Sequence, residues 1–203
     1  MLRFLACCCI PLLVAGPLAA GEYNPVLDIG DAAPAWKELP GVDGKQHSLA
    51  QLADTPVVVV FFTCNSCPYA VDYEDRILAL DKKYDDAKVA LVAINVNKVP
   101  EDLPAEMAAK AKAKGFQFAY LYDESQQIAK DYGAGYTPEF FVLDKDRKVV
   151  YMGALDDNVD PDEVKRKHVE AAIDAVLSGG KPEVTETPAV GCTIRFERRR
   201  RKK

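Results

Sequence analysis

Cys64 and Cys67 carry the chemistry most readily legible in this chain. They lie in VVVVFFTCNSCPYAVDY (57–73), an apolar run that stops at two thiols and a proline. Such a pair can be a redox couple, half of a metal site or a structural disulfide. The six β-formers 57–62 read as a strand buried on both faces, and the helical pattern from Tyr69 to Tyr84 follows at once. A thiol between a strand end and a helix start meets unpaired backbone N–H groups and the positive end of the helix dipole, which favour thiolate. On that basis Cys64 is the attacking nucleophile and Cys67, in the first helical turn, the resolving thiol. Pro68 suits that turn, where its missing N–H costs nothing. A tetrahedral metal site needs four ligands, and the sequence offers only two isolated histidines, His47 and His168. A structural disulfide closing so short a loop adds little chain-entropy stabilisation.

The elements that must position the pair follow from periodicity. Asp43-Gly44 marks a turn between two short runs. A second buried strand covers 88–96, a helix 103–114 ends at Gly115, a third strand covers 116–123, and a short helix closes at Gly133. A fourth strand in EFFVLD and a fifth in VVYMG form a hairpin. The last helix is expected from Asp160 as cap, with Pro161 first, to Gly179-Gly180. The order predicts one α/β domain with a mainly parallel sheet covered on both faces. Val71, Ile77, Leu78 and Leu80 are available for the inward face of the first helix. Thr137-Pro138 enters a strand, where proline needs a reason; a cis bond supplies one and leaves the Thr137 backbone free to pair with an incoming peptide.

The ends differ from the middle. Arg3 and the apolar stretch 5–20, closing on small residues, have the layout of a secretory signal peptide, assigned to residues 1–21. An uncleaved anchor and a lipoprotein modified at one of Cys7–Cys9 are the alternatives. Cleavage leaves Cys64, Cys67 and Cys192 in a compartment where disulfides persist. The net charge of −5 hides 18 basic and 30 acidic side chains over residues 22–194, and seven basic residues among the last nine, RFERRRRKK. Such a tail is a solvated end, or touches the acidic body or a membrane surface of anionic lipid. The body has no basic pattern interleaved with aromatics, so no nucleic acid is expected as a partner. The domain is read as 22–190 and the Cys-containing basic tail as 191–203.

Strand, CxxC at a helix start, Thr-Pro before a strand, hairpin and last helix together resemble the thioredoxin fold. The added strand–helix pair 88–115 and the early hairpin resemble the redoxin branch, the alkyl hydroperoxide reductase/thiol-specific antioxidant superfamily. Within it the chain is similar to a peroxiredoxin-like group through CNSCPYAVDYEDR (64–76), AIN (93–95), DE (123–124), TPE (137–139), GALDDN (153–158) and GCTIRF (191–196). The resemblance implies a redox-active Cys64/Cys67 pair, a cis Pro138 preceded by Thr137, and no bound cofactor beyond the redox-active disulfide. Protein or small-molecule thiols and disulfides are the implied substrates.

The chain departs from that pattern in three places. Thr63 stands where many thioredoxins have Trp, and strand 57–62 lacks the buried carboxylate that shuttles protons to the resolving thiol. Glu139 is the nearest candidate for that general acid/base role, with Glu74 behind it. The peroxiredoxin site places Thr three residues before its reactive Cys; here Phe61 precedes Cys64 by three and Cys64 precedes Cys67. Cys192 is left as a third redox thiol, an interchain link or a free thiol. The expectation is an exported thiol–disulfide oxidoreductase, with thiol peroxidase as alternative and a copper metallochaperone behind it.

Overall fold

The computed structural model describes residues 21–84 and 88–197; residues 1–20 of the segment read as a signal peptide and the basic run 198–203 lie outside the described residues. The early hairpin is β1 (Leu39–Pro40) and β2 (Gln46–His47), turning at Gly44 with φ of 76°. The core strands are β3 (Val57–Phe62), β4 (Val89–Asn95) and β5 (Ala119–Tyr122). They alternate with helices α1 (Pro68–Lys83), α2 (Pro104–Lys114) and α3 (Gln127–Asp131). The chain continues through β6 (Tyr136–Thr137), β7 (Glu139–Leu143), β8 (Val149–Gly153), α4 (His168–Leu177) and β9 (Cys192–Thr193).

The central sheet has the order β5-β4-β3-β7-β8. β3, β4 and β5 run parallel, whereas β7 is antiparallel to β3 and β8 to β7. The sheet is therefore mixed rather than mainly parallel. The reason lies in α3: five residues of helix span only about 7.5 Å, too little to carry the chain back along a strand of about 17–20 Å. β7 consequently leaves from the end at which β5 finished.

Every side chain of β3 is buried, as its unbroken run of β-formers requires. Val57, Val59 and Phe61 face a cluster with Tyr73, Ile77 and Leu80 of α1, Met107 of α2 and Val169 and Ile173 of α4. Val58, Val60 and Phe62 face the other side, against Leu27, Trp36, Leu49 and Tyr132. Both faces are thus covered, but the inward stripe of α1 is Ala70, Tyr73, Ile77 and Leu80; Val71 is exposed and Leu78 only half-buried.

The last helix starts later than its sequence signals. Asp160 does cap, its carboxylate accepting from the Asp162 N–H at 3.0 Å, but only a 3-10 turn at Pro161–Glu163 follows. Asp157 then draws the chain out: its N–H bonds the Arg166 carbonyl at 3.0 Å and its carboxylate accepts from the Lys165 N–H at 2.9 Å. That pairing keeps 164–167 out of helix, and α4 begins at His168. Beyond α4 the chain follows β8, the Met152 N–H bonding the Thr185 carbonyl at 3.0 Å and the Thr187 N–H the Met152 carbonyl at 3.1 Å, and reaches β6 as β9.

Candidate active site

Cys64 follows β3 in the strand-to-helix loop, and Cys67 is the N-cap of α1 with Pro68 at the first helical position. The cap changes the electrostatics expected of the pair. The orphan N–H groups of the first turn serve Cys67: its Sγ accepts from the Ala70 N–H at 3.4 Å. Cys64 Sγ instead meets two hydroxyls, Thr137 Oγ1 at 3.7 Å and Ser66 Oγ at 3.8 Å. The hydrogen bond from Cys64, opposed by burial, lowers the Cys67 thiol to about 4. That same bond, together with burial and the Asp102 carboxylate, pushes Cys64 up. The helix-start amide expected to serve Cys64 thus reaches Cys67 instead. With Cys67 lowered and Cys64 raised, the first proton to leave the reduced pair is that of Cys67. Both side chains are buried, at 3 % and 2 % exposure.

The Thr137–Pro138 bond is cis, and the Cys67 thiol donates to the Thr137 carbonyl at 2.9 Å. The Thr137 edge is not free, however. β9 of this chain pairs antiparallel with β6, Cys192 opposite Thr137 and Thr193 opposite Tyr136. Residues 191–197, read from sequence as the start of a tail, are thus packed on the domain, and Cys192 lies against the Cys64/Cys67 cluster.

Asp102, absent from the sequence candidates, is fully buried and arrives on the 3-10 turn Pro100–Asp102. Its two carboxylate oxygens accept from the Ser66 N–H and the Ser66 hydroxyl, both at 2.8 Å, pinning the loop between the cysteines. Asn95 of the AIN motif holds that turn, its side-chain amide donating to the Asp102 carbonyl at 2.5 Å. Asn65 is fixed in turn by donating to the Glu101 carbonyl at 2.9 Å and accepting from the Tyr120 hydroxyl at 3.0 Å. The readable signal was an acidic residue enclosed by two prolines, PEDLP; only the fold shows that it is buried against the thiol loop.

Glu139 is buried at the start of β7, and its Oε2 accepts from the Gly135 and Tyr136 N–H groups at 2.8 and 3.0 Å. Burial raises its pKa while those amides oppose the rise. It braces the loop before the cis proline, and neither sulfur is among its hydrogen-bond partners. Glu74 is buried and salt-bridged to Lys110 and, at 2.9 Å, to Lys114, tying α1 to α2. His47 contacts Asp43 at 3.0 Å in the hairpin, and His168 stacks on Tyr151, so neither histidine joins the cysteines. Among the described residues no group of three His, Cys, Asp or Glu side chains is placed to hold a metal ion. The other motif residues are structural: Arg76 pairs with Asp156 at 2.5 Å, and Asp123 accepts from the Ile128 N–H at 2.9 Å at the start of α3.

A thioredoxin fold with a buried cysteine pair beside a cis proline defines a thiol-dependent redox protein, of oxidoreductase or peroxidase type. The Redoxin family model matches residues 28–173, and the chain belongs to that family. A hypothetical protein from Sinorhizobium meliloti 1021 is 36% identical and superposes with a TM-score of 0.79, covering 86% of this chain and 97% of its own. A Mycobacterium tuberculosis protein provisionally named a peroxiredoxin is 28% identical over 137 residues, 60% of this chain and 81% of the relative. The thiol-disulfide oxidoreductase ResA of Bacillus thuringiensis is 27% identical over 128 residues, 61% of this chain and 68% of the relative.

Proposed function

We propose that the chain is an exported thiol–disulfide oxidoreductase that works through Cys64 and Cys67, as a member of the CNxCP group of redoxins. The observation that carries the reading is the coupled pair itself: Cys67 at the helix cap, bonded to Ala70 and to the Thr137 carbonyl, its pKa lowered by the bond from Cys64. Cys64 takes the partner, because the Cys67 sulfur is already occupied by Ala70, Thr137 and Cys192. As Cys64 attacks a partner disulfide, its proton passes to the Cys67 thiolate. A Cys64–partner disulfide forms and one partner sulfur leaves as thiolate. Cys67 then gives its proton to that thiolate and attacks Cys64 Sγ, forming the Cys64–Cys67 disulfide and releasing the second partner sulfur. The Cys67 thiolate thereby does the proton work that a carboxylate does in thioredoxin.

Substrates are protein or small-molecule disulfides, and the redox-active disulfide is the only electron carrier required. Export rests on the layout of residues 1–21 and implies a periplasmic or otherwise extracytoplasmic site. The basic residues 195–203 suit contact with an anionic membrane surface, which sedimentation with anionic and neutral vesicles tests. Insulin-disulfide reduction tests the activity: Cys64→Ser is expected to abolish it and Cys67→Ser to accumulate a mixed disulfide. Full activity in Cys64→Ser overturns the reading.

Peroxide reduction is the second reading, favoured by the Thr137 hydroxyl on Cys64, which supplies from β6 the hydroxyl missing at position 61. Cys64 would go to sulfenic acid with release of an alcohol or water, and Cys67 would condense with it to the disulfide and water. Stopped-flow peroxide consumption no faster than that of a free thiol removes this reading.

A further inference from the structure

Cys192 is brought to the pair by backbone geometry rather than by chance exposure. Its residue stands opposite Thr137 in the β6–β9 register, and the Thr137 hydroxyl donates to the Cys192 carbonyl at 3.4 Å. The preceding Gly191 passes so close to the cis peptide that a Cβ there would overlap the Thr137 carbonyl. Downstream, the Ile194 N–H bonds the Gly135 carbonyl at 2.8 Å and the Arg195 N–H bonds Asn97 Oδ1 at 3.1 Å. Gln126 closes the clamp, donating to the Arg195 carbonyl at 3.0 Å and accepting from the Glu197 N–H at 2.8 Å. The segment is thus fixed at both ends, along the edge a substrate strand would need.

The sulfur itself is placed for chemistry. Cys192 packs on the cluster of Cys64, Cys67 and Ala70. The start of α1, whose Ala70 N–H bonds Cys67, therefore lies against two sulfurs, Cys67 and Cys192.

We propose that Cys192 is a third redox thiol, an internal exchange partner of Cys67 delivered by β9. The inference rests on the exchange reading of Cys64 and Cys67. Once those two are joined, the Cys192 thiolate attacks Cys67 Sγ. The Cys67–Cys192 bond forms, the Cys64–Cys67 bond breaks, and Cys64 leaves as a thiolate that takes up the proton lost by Cys192. No electrons enter or leave the chain. The result is a reduced Cys64 ready for another partner and a C-terminal strand latched to the site.

The test is disulfide mapping by mass spectrometry on the full chain, poised in a dithiothreitol redox buffer or oxidised with diamide, acid-quenched and alkylated. A monomeric species with a Cys67–Cys192 linkage is expected in wild type, and as the main product in Cys64→Ser. Gly191→Val, which cannot keep β9 against the cis peptide, is expected to lose that linkage and keep Cys64–Cys67. Absence of Cys67–Cys192 from both wild type and Cys64→Ser, or its occurrence only between chains, overturns the inference, as does an undiminished yield in Gly191→Val. In those cases a Cys64–Cys67 disulfide in wild type leaves the exchange reading standing. Failure to form Cys64–Cys67 under any oxidising condition removes that reading instead.

Discussion

The Cys67 thiol donates to the carbonyl of Thr137 at 2.9 Å, so the reduced pair is tied directly to the cis-proline edge. The same residue, Thr137, pairs with Cys192 and brings its hydroxyl to Cys64. One residue of β6 therefore touches all three cysteines, and changes in any thiol's charge or bonding are felt along the β6–β9 edge.

The first ionisation of the pair is open to titration. With Cys67 lowered to about 4 by the bond from Cys64, thiolate absorbance at 240 nm is expected to rise first near that pH, far below the ordinary thiol range. Cys64→Ala removes the donor, leaves Cys67 buried and moves that step upward. A first step in the ordinary thiol range for wild type contradicts the assignment of charge within the pair.

Asp102 acts on Cys64 from a fully buried position, adding to the rise in that thiol's pKa. Asp102→Asn removes the charge while an amide oxygen still accepts from Ser66. A less negative reduction potential is expected, because the reduced form of the pair becomes easier to ionise; a redox titration against glutathione reads it. Asp102→Ala strands the Ser66 N–H and costs about 1–3 kcal/mol in urea unfolding.

Arg76 and Asp156 join α1 to the loop after β8. The guanidinium also donates to the Asn158 and Val159 carbonyls at 3.0 and 2.7 Å and stacks on Tyr73 at 3.9 Å. Removing Arg76 alone leaves a carboxylate buried and unpaired, so Arg76→Ala is expected to cost about 3–5 kcal/mol in chemical denaturation. Adding Asp156→Ala recovers part of that loss, and a double mutant no more stable than the single one contradicts the account.

Glu139 provides a pH-dependent case with a definite sign. Burial raises its folded-state pKa, so its contribution to stability is present below the unfolded value and is lost as pH rises through the folded one. Glu139→Gln escapes that ionisation and keeps an oxygen for the Gly135 and Tyr136 amides. Its stability relative to wild type is expected to increase between about pH 4 and pH 7, followed by urea midpoints across that range.

The sequence by itself determined most of the elements and where the candidate cysteine pair falls among them. Six consecutive β-formers can be buried on both faces only in an inner strand, and CNSCP after them places two sulfurs at a helix start whatever surrounds it. Gly115, Pro68 and Asp43-Gly44 act through local dihedral preferences, so their turns and caps are where the residue types put them. Tertiary structure decided what depends on contacts between distant segments. The direction of β7 followed from how far the short α3 could carry the chain, and the late start of α4 from Asp157 competing for its first turn. Asp102 entered the site because a turn 35 residues beyond Cys67 folds back onto Ser66. Which thiol is lowered depended chiefly on the bond between the two sulfurs, with the Ala70 amide a smaller contribution at the cap. Cys192, 125 residues beyond Cys67, was legible as a third redox thiol, an interchain link or a free thiol; strand pairing opposite Thr137 is what lays it against the cysteine pair.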